Sequence, residues 1–485
     1  MSDTGRREAT RWGTGGSAPP PRGPRGFWPV GPAVLAMLAA LAWVPGLGAQ
    51  DPEFPGVQLG LTYEARTPPA IALQPFQGRM GGAEAAGRAE GIIARDLRLS
   101  NRFNVLDALP EALVRDEVDY ALWDQVGATW LVSGRVEGAG NGSVLILELH
   151  DVIYREVRER GRFSLPEPSH PDFRMAVHRV SDAVVEWVHG EPGVAATRIV
   201  FSRQMEDGTQ DLWVVDYDGE NLRRLTRHRP DDLGHAISMS PAWSPDGRRV
   251  AYTSYKDDGM PRIYELNLAT GEERRVPVQR QGDYITPAYH PDGERLFFGV
   301  VGGGVGGIYS YNIARQCCFE TVMEGRADDL SPTFSPDGRR FAFNSNRLGE
   351  NAPQIYLAGL DGNRPQILSP YTYGRPGFYN SPDWSPVGDR VAFHGRLETR
   401  GMHQILVAEL ARRNRLVQLT FDGNNQDPSW APDGRHLVFV GERSWGRGLF
   451  ITDAMTGNTR TLVSGMRVRL PAWSPSLAAG VGEDR

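Results

Sequence analysis

From about residue 197 onward, apolar residues occur in short runs that are separated by turn-forming residues. Residues 249–253 and 262–266 are two such runs, and both have the length and β-branched or aromatic content of strands. Between strands, Pro245-Asp246-Gly247 has the composition of a tight turn, because proline presets φ, aspartate bonds the following backbone and glycine accepts positive φ. This part of the chain is therefore predicted to consist of strands only.

The turn belongs to a longer segment, Ser-Pro-Ala-Trp-Ser-Pro-Asp-Gly at residues 240–247, which recurs along the chain. Its copies are spaced 43 to 50 residues apart, measured between their aromatic residues. Those residues are Trp243, Tyr289, Phe334, Trp384, Trp430 and Trp473. A period of this length is typical of a β-propeller with four strands in each blade.

The two ends of the repeat array predict how the ring closes. The first repeat lacks its first strand, since residues 198–202 already have the pattern of a second strand. The last copy, residues 470–475, supplies a first strand and nothing more. Together they make one blade, so we predict a six-bladed propeller over residues 197–477, closed by its C-terminal strand and followed by a tail over 478–485.

Residues 67–193 show a different pattern, in which strands alternate with helices. Apolar residues at helical spacing predict helices over 82–99, 110–126 and 172–189. Short apolar runs at 71–73, 103–106, 130–134 and 144–149 predict strands, the last two forming a hairpin. We therefore expect a small α/β domain before the propeller, with a boundary near Gly190–Gly193.

The first 49 residues resemble an export signal. A basic leader containing Arg6 and Arg7 precedes an apolar run at 33–44, which is too short to span a bilayer comfortably. Small residues up to Ala49 offer a cleavage site there, although an uncleaved anchor remains open. The mature chain would then begin with an extended segment, 50–66, which is either a disordered terminus or a strand donated to a partner.

The sequence contains no recognisable catalytic or metal-binding motif. It lacks a G-x-S-x-G elbow, a Walker motif, a strand-to-helix G-x-G-x-x-G and an H-E-x-x-H pair. The formal net charge of −6 argues against a general nucleic-acid-binding protein. Adjacent Cys317 and Cys318 are either a vicinal disulfide or two ordinary thiols, and neither suggests a metal site. No cofactor is expected, and function is expected on the loops that enter the first strand of each blade.

Three segments carry a family resemblance more specific than that of the repeats alone. They are Ala-Leu-Gln-Pro-Phe-Gln at 72–77, Ile-Ala-Arg-Asp-Leu-Arg-Leu-Ser-Asn-Arg-Phe at 93–103 and Leu-Pro-Ala-Trp-Ser-Pro-Ser-Leu at 470–477. With the repeats, they resemble the TolB family of the periplasmic Tol–Pal system. The resemblance covers nearly all of the mature chain.

The resemblance implies a non-enzymatic periplasmic adaptor that supports outer-membrane integrity and cell division. The propeller face would bind the peptidoglycan-associated lipoprotein, and the extended N-terminus would bind TolA by strand addition, so association with the outer membrane would be peripheral. No small-molecule substrate and no nucleic acid are implied. The alternatives are a TolB-like propeller with a different protein partner, and a propeller hydrolase or lyase.

Family positions transfer to two sets of residues in this sequence. The set that would face the lipoprotein is His235, Asp283, Tyr284, Asp329, Tyr379, Asn380 and Gln426. The set that would face TolA is Val57, Leu59, Leu61 and Tyr63.

Overall fold

The structure is a computed structural model that describes most of the chain after the predicted leader. The described residues are 67–106, 117–140, 142–227, 237–349, 351–374, 377–397, 401–412 and 414–477. The predicted leader, the 50–66 segment with its four TolA-facing residues, His235 and the 478–485 tail lie outside them. The described residues belong to one compact unit. Within the described part of the chain, no helix is long and apolar enough to span a membrane.

The first part of this unit is an α/β domain with a six-stranded sheet. Its elements are β1 (Ala70–Leu73), β2 (Gln77–Arg79), α1 (Ala83–Leu99), β3 (Asn104–Val105), α2 (Tyr120–Gln125), β4 (Trp130–Ala139), β5 (Gly142–Asp151), β6 (Glu156–Pro166) and α3 (Phe173–His189). The sheet order is β3-β1-β4-β5-β6, with β2 also beside β4. β1 runs parallel to β3 and β4, whereas β4, β5 and β6 are antiparallel.

Helices α1 and α3 cover one face of the sheet because both carry an apolar stripe. Ile93 on α1 and Val180 on α3 are fully buried against sheet residues such as Leu147. The short helix α2 covers the other face through Trp123. α3 ends at Gly190, whose φ of 78° is in the left-handed region that glycine adopts without a steric penalty.

The remaining strands form six four-stranded sheets. Blade 1 consists of β10 (Ser238–Trp243), β11 (Arg249–Ser254), β12 (Arg262–Asn267) and β13 (Glu273–Arg275). Blade 2 consists of β14 (Asp283–Tyr289), β15 (Arg295–Gly302), β16 (Val305–Asn312) and β17 (Cys317–Gly325). Blade 3 consists of β18 (Asp329–Phe334), β19 (Arg340–Ser345), β20 (Gln354–Gly359) and β21 (Gln366–Ile367). Blade 4 consists of β22 (Phe378–Trp384), β23 (Arg390–Arg396), β24 (Gln404–Glu409) and β25 (Arg415–Gln418). Blade 5 consists of β26 (Asn424–Trp430), β27 (His436–Arg443), β28 (Gly446–Asp453) and β29 (Thr459–Ser464). Within each blade, neighbouring strands are antiparallel, as expected for hairpin-connected repeats.

Blade 6 joins the two ends of the array, which confirms the predicted six-bladed ring. Its strands, from the inside outward, are β30 (Arg467–Trp473), β7 (Arg198–Gln204), β8 (Gln210–Asp216) and β9 (Arg223–Arg224). β30 is antiparallel to β7, with Trp473 opposite Ile199. The indole N–H of Trp473 donates to Thr197 Oγ1 at 2.8 Å, so the last strand is held by side-chain as well as backbone bonds.

The repeated segment forms the innermost strand of each blade and the turn that leaves it. At Ser240, the first residue of the segment, φ is 52°, and the ladder with the second strand shifts register there. After the strand, Asp246 Oδ1 accepts the backbone N–H of Arg248 at 3.1 Å, and Gly247 has a φ of 69°. The turn chemistry expected from Pro-Asp-Gly is therefore present. In the second blade, Cys317 and Cys318 are joined by a disulfide.

The α/β domain contacts one face of the ring, the face that carries the turns between first and second strands and between third and fourth strands. The Tyr217 hydroxyl, after β8, donates to the carbonyl of Leu99 at the end of α1 at 2.6 Å. Arg435, in the turn after β26, donates to the carbonyl of Asn101 at 3.3 Å. The opposite face carries the connections into each first strand and those between second and third strands. We call it the mouth face.

Candidate protein-binding face

Three of the transferred residues lie where the central channel opens on the mouth face. Asp283, Asn380 and Gln426 belong to the innermost strands β14, β22 and β26, and all three side chains are half-buried. Gln426 Nε2 lies 3.1 Å from His403 Nδ1, and Asn380 Oδ1 accepts the backbone N–H of Ser381 at 2.8 Å. The amide groups of Asn380 and Gln426 are thus held in place by neighbouring residues at the rim of the channel.

Tyr284 and Tyr379 do not belong to this surface, and their prediction as surface contacts is wrong. Their exposed fractions are 0% and 1%. Each is adjacent in sequence to a rim residue, Tyr284 to Asp283 and Tyr379 to Asn380. Because successive side chains of a strand point to opposite faces, both tyrosines turn into the packing between neighbouring blades. The ring of Tyr284 stacks on Phe298 with centroids 5.5 Å apart, and Tyr379 meets Phe393 edge-on at 5.8 Å.

Asp329 is likewise buried, with only 3% of its surface exposed. Its Oδ1 lies 2.8 Å from Arg347 Nη2, so the carboxylate is neutralised by an ion pair. The Arg347 guanidinium in turn lies over the Tyr356 ring, 4.6 Å from its centroid. Asp329 therefore fixes an arginine near the mouth face rather than presenting a charge to a partner.

The largest apolar groups on the mouth face were not predicted from the sequence. Nine large hydrophobic side chains of the described propeller residues are notably exposed, and eight of them lie on mouth-face connections. These eight, which we call the apolar rim, are Met260, Val278, Leu348, Tyr373, Leu397, Met402, Phe421 and Trp445. The ninth, Val387, is on the opposite face in the turn after β22. The sequence signal that could have identified this surface is the presence of large apolar residues within connections that are otherwise polar and rich in glycine.

The apolar rim is uneven around the ring. Six of its eight members lie on blades 3 to 5 or on the connections between these blades. Trp445 and Phe421 are the members of the apolar rim on blade 5 and on its entry connection, with exposed fractions of 55% and 57%. Tyr373, on the connection between blades 3 and 4, is 92% exposed. Exposed aromatic side chains surrounded by polar groups are typical of protein interfaces.

Two histidines underlie this sector without adding charge to it. His394 and His403 lie with ring centroids 5.3 Å apart, and His403 also packs against Phe378 at 5.1 Å. Burial lowers the pKa of His394 to about 4, and burial followed by repulsion from Arg396 lowers the pKa of His403. Both rings are therefore neutral at pH 7 and act as polar packing groups.

The central channel is lined by all six copies of the repeated segment, which enclose a cavity of about 520 Å³. Its polar side chains are bonded to the next blade. The backbone N–H of Trp384 donates to Thr333 Oγ1 at 2.9 Å, and that of Trp430 donates to Asp383 Oδ2 at 2.6 Å. Burial raises the pKa of Asp383 to about 6. These groups form hydrogen bonds that connect neighbouring blades, and they are not arranged as a nucleophile with its general base.

Among the described residues, one cluster of three carboxylate and imidazole groups is close enough together to hold a cation, and it consists of Asp96, His178 and Asp218. It lies between the α/β domain and the propeller, on the side of the ring opposite the mouth face. The mouth face is therefore distinguished by apolar and amide groups rather than by a metal-binding set.

Two family profiles match the chain. The TolB amino-terminal domain matches residues 57–157, and the TolB beta propeller domain matches residues 185–477. Together they span the region where the α/β domain and the six-bladed ring are observed.

Similar proteins of known description agree with these profiles. The Tol-Pal system protein TolB of Anaeromyxobacter dehalogenans strain 2CP-C is 36% identical over 279 residues, which is 56% of this chain and 60% of that protein. The same values hold for the protein of that name from Anaeromyxobacter sp. strain K. The match therefore spans less than two thirds of the length of these curated relatives.

A crystal structure of TolB from Acinetobacter baumannii has the same fold, with a TM-score of 0.71 and 23% sequence identity over 85% of this chain and 98% of that one. The two profiles, the α/β domain and the ring closed by its last strand lead to one conclusion. The chain belongs to the TolB family.

Proposed function

We propose that this protein is a non-enzymatic adaptor of the Tol–Pal system that binds the peptidoglycan-associated lipoprotein through the mouth face of its propeller. Membership of the TolB family supports the system. The observation that carries the proposal is that eight of nine exposed large hydrophobics of the described propeller residues lie on this one face. Concentrated apolar surface on one side of a protein marks an interaction site.

The proposed interface has aromatic anchors and a polar centre. Trp445 and Phe421 would enter pockets of the partner, since large aromatics supply most of the binding energy at protein interfaces. Asp283, Asn380 and Gln426 at the channel opening would give hydrogen bonds that fix orientation. The face needs no bound group for this role, because association uses shape, apolar area and hydrogen bonds alone.

A second interface is proposed at the N-terminus. Val57, Leu59, Leu61 and Tyr63 alternate with other residues, as in a strand that adds to the sheet edge of a partner. TolA is the proposed partner for this strand. An exported protein with both interfaces would connect two components of the cell envelope, would associate with the outer membrane only through its partners, and would serve membrane integrity and cell division.

Calorimetric titration with the soluble domain of the lipoprotein from the same organism tests the first interface. Trp445→Ala combined with Phe421→Ala is expected to weaken binding at least about 30-fold, the equivalent of about 2 kcal/mol for hot-spot residues. Val387→Ala is the matched control, since Val387 is exposed and apolar but lies on the opposite face. It is expected to bind as the wild type does.

Three outcomes separate this proposal from its alternatives. Equal binding by the double variant and the wild type would show that the apolar rim is not the interface. A folded wild type that does not bind the lipoprotein would favour a TolB-like propeller with another partner, and turnover of a substrate at the channel would favour a propeller hydrolase or lyase. Deleting residues 50–66 should abolish TolA binding while binding of the lipoprotein is kept.

A further inference from the structure

The hairpin between β5 and β6 carries most of the exposed apolar surface of the α/β domain. Among the described residues of this domain, four large hydrophobic side chains are notably exposed, and three of them lie on the hairpin. They are Ile153, Tyr154 and Val157, with exposed fractions of 64%, 77% and 40%. We call these three residues the hairpin patch. It is separate from the apolar rim, whose members all belong to the propeller.

The turn that carries the patch is stabilised by its own hydrogen bonds. Asp151 Oδ1, at the end of β5, accepts the backbone N–H groups of Ile153 and Tyr154, both at 3.0 Å. Val152 is 1% exposed and packs in a buried cluster with Trp123 of α2. The turn is therefore anchored in the core, while the two side chains that follow Val152 point into solvent.

Isoleucine and tyrosine are unusual residues at the tip of a hairpin. Turns favour glycine, asparagine, aspartate, proline and serine, because these residues adopt the turn backbone or bond to it. Here Asp151 supplies the hydrogen bonds, and Arg155 adopts the left-handed conformation with a φ of 58°. Ile153 and Tyr154 thus contribute little to the turn itself, and adjacent apolar side chains in water are typical of an interaction site.

Val157 extends the patch onto one face of the sheet. It lies opposite His150 in the β5–β6 ladder, and His150 Nδ1 is 3.0 Å from the Tyr120 hydroxyl of α2. Val157 is therefore on the face of the sheet that α2 covers only in part. Glu156 and Arg158, which pair at 3.9 Å, are exposed on either side of it. An apolar centre bordered by charged groups has the composition of a protein interface.

The hairpin lies close to the point where the N-terminal segment joins the domain. The backbone N–H of Val152 donates to the Thr129 carbonyl at 3.1 Å, and that of Thr129 donates to the Ala70 carbonyl at 3.0 Å. Ala70 is the first residue of β1. Because hydrogen-bonded neighbouring chains lie about 4.8 Å apart, the turn is about 10 Å from the start of β1. The 50–66 segment therefore joins the domain near the hairpin patch.

The length of the chain limits how far from the patch a partner of this segment can lie. Tyr63, the last residue of the proposed strand, is seven residues before Ala70, so the chain between them spans at most about 25 Å. A domain of about 100 residues has a radius of gyration of about 13 Å and is therefore more than about 30 Å across. A partner of that size that holds the strand is within reach of the hairpin.

We propose that the hairpin patch is a second contact area for the protein that takes the strand at residues 57–63, for which TolA is the proposed partner. The strand would supply main-chain hydrogen bonds, and Ile153 and Tyr154 would enter an apolar depression on the same partner. A short connection between two contacts raises affinity, because the second contact forms within one complex. The inference rests on the N-terminal interface of the proposed function and adds to it a surface of the folded domain.

Calorimetric titration of the chain from residue 50 onward with the soluble domain of TolA from the same organism tests the patch. The variant combines Ile153→Ser with Tyr154→Ser, two exposed positions at which the fold does not depend on the side chain. Met80→Ser is the matched control, because Met80 is the fourth exposed hydrophobic residue of the domain, with an exposed fraction of 84%. Its carbonyl lies against Gly138, which is about 25 Å along β4 from Trp130 at the hairpin end of the sheet.

The double variant is expected to bind TolA about tenfold or more weakly than the wild type, because it lacks an aromatic and an aliphatic anchor. Its circular dichroism spectrum and melting temperature should be those of the wild type. Met80→Ser should bind as the wild type does. Deleting residues 50–66 should abolish measurable binding, since the patch alone is too small to hold the partner.

The outcomes separate the patch from the strand interface. Equal affinities of the double variant and the wild type, with binding lost on deletion of residues 50–66, would overturn the patch and leave the strand interface standing. A wild type that does not bind TolA would overturn both.

Two further results would assign the patch to another occupant and so overturn the proposal. Tighter binding of TolA by the double variant would show that the 50–66 segment covers the patch in the free chain. A wild type that sediments as a dimer, with a double variant that sediments as a monomer, would show that a second copy of the chain covers it.

Discussion

At the residue scale, the repeated segment is an architectural module whose variable neighbours determine the surface. Trp384 and Trp430 of the segment are largely buried, and their backbone N–H groups bond to side chains of the preceding blade. Just before each copy of the segment, successive side chains point to opposite sides of the strand. Asp283 therefore reaches the rim, whereas Tyr284 enters the core. A shift of one position along a strand therefore separates a surface residue from a core residue.

Tyr284→Phe is expected to lower the free energy of unfolding by about 1–3 kcal/mol, because buried groups would lose their hydrogen-bond partner. The Tyr284 hydroxyl accepts the backbone N–H groups of Gln279 and Arg280 at 3.1 and 3.0 Å. Denaturant unfolding monitored by circular dichroism measures the change. Tyr373→Phe, at a 92% exposed position, is the control and should change stability by less than about 0.5 kcal/mol. Equal stabilities for the two variants would contradict the assignment of Tyr284 to the core.

At the scale of the elements, each sheet has to protect the edges of its outer strands. β30 supplies the innermost strand of blade 6 and covers the inner edge of β7. In the α/β domain, β6 leaves an open edge, but its exposed residues are mainly charged, including Arg158, Glu159 and Arg160. Charged side chains on an edge strand oppose pairing with another chain. The two sheets thus protect their edges by different means.

Truncation after Met466 is expected to open the ring, because it removes β30 and leaves β7 without its inner partner and β26 without its neighbour in the next blade. Replacing Trp473 alone by alanine should cost about 3–5 kcal/mol, the usual cost of deleting a buried tryptophan side chain. Thermal unfolding by calorimetry measures both effects. Truncation after Leu477, which keeps β30, is the control and should leave the melting temperature near that of the wild type. A truncation at 466 that melts as the wild type does would show that β30 does not close the ring.

At the scale of the whole molecule, the α/β domain and the propeller are joined through one face of the ring. Tyr217 of blade 6 packs against Trp473, with ring centroids 6.0 Å apart, and its hydroxyl bonds to the end of α1. The same residue therefore contacts the closing strand and the other domain. This arrangement places the closure of the ring and the attachment of the α/β domain within one packed region.

Tyr217→Phe is expected to destabilise both parts of the molecule together. The Leu99 carbonyl would lose a buried hydrogen-bond donor, at a cost of about 1–2 kcal/mol. Hydrogen exchange measured by mass spectrometry should show faster exchange in α1 and in the β8–β9 turn of the same sample. Tyr154→Phe, at a 77% exposed position of the α/β domain, is the control. Faster exchange confined to the β8–β9 turn would contradict the coupling.

Much of the architecture was determined by the sequence alone, because it depends on local chemistry repeated at a fixed period. Each Pro-Asp-Gly turn requires its own neighbours only, so the number of copies gave the number of blades. The incomplete first and last repeats gave the closure for the same reason. Helices α1 and α3 were also predictable within a residue or so, since an apolar stripe at helical spacing is a local pattern.

The tertiary structure decided which side chains meet and which stay in water. β6 was not predicted, because its charged residues become a strand only by pairing with β5. Tyr284 and Tyr379 are buried because of which side of each innermost strand faces the neighbouring blade, and a single repeat does not specify this. Asp96, His178 and Asp218 come from three elements distant in sequence, and only the docking of the two domains encloses them together. The sequence therefore specified the modules, whereas the interfaces between modules arose from contacts between distant parts of the chain.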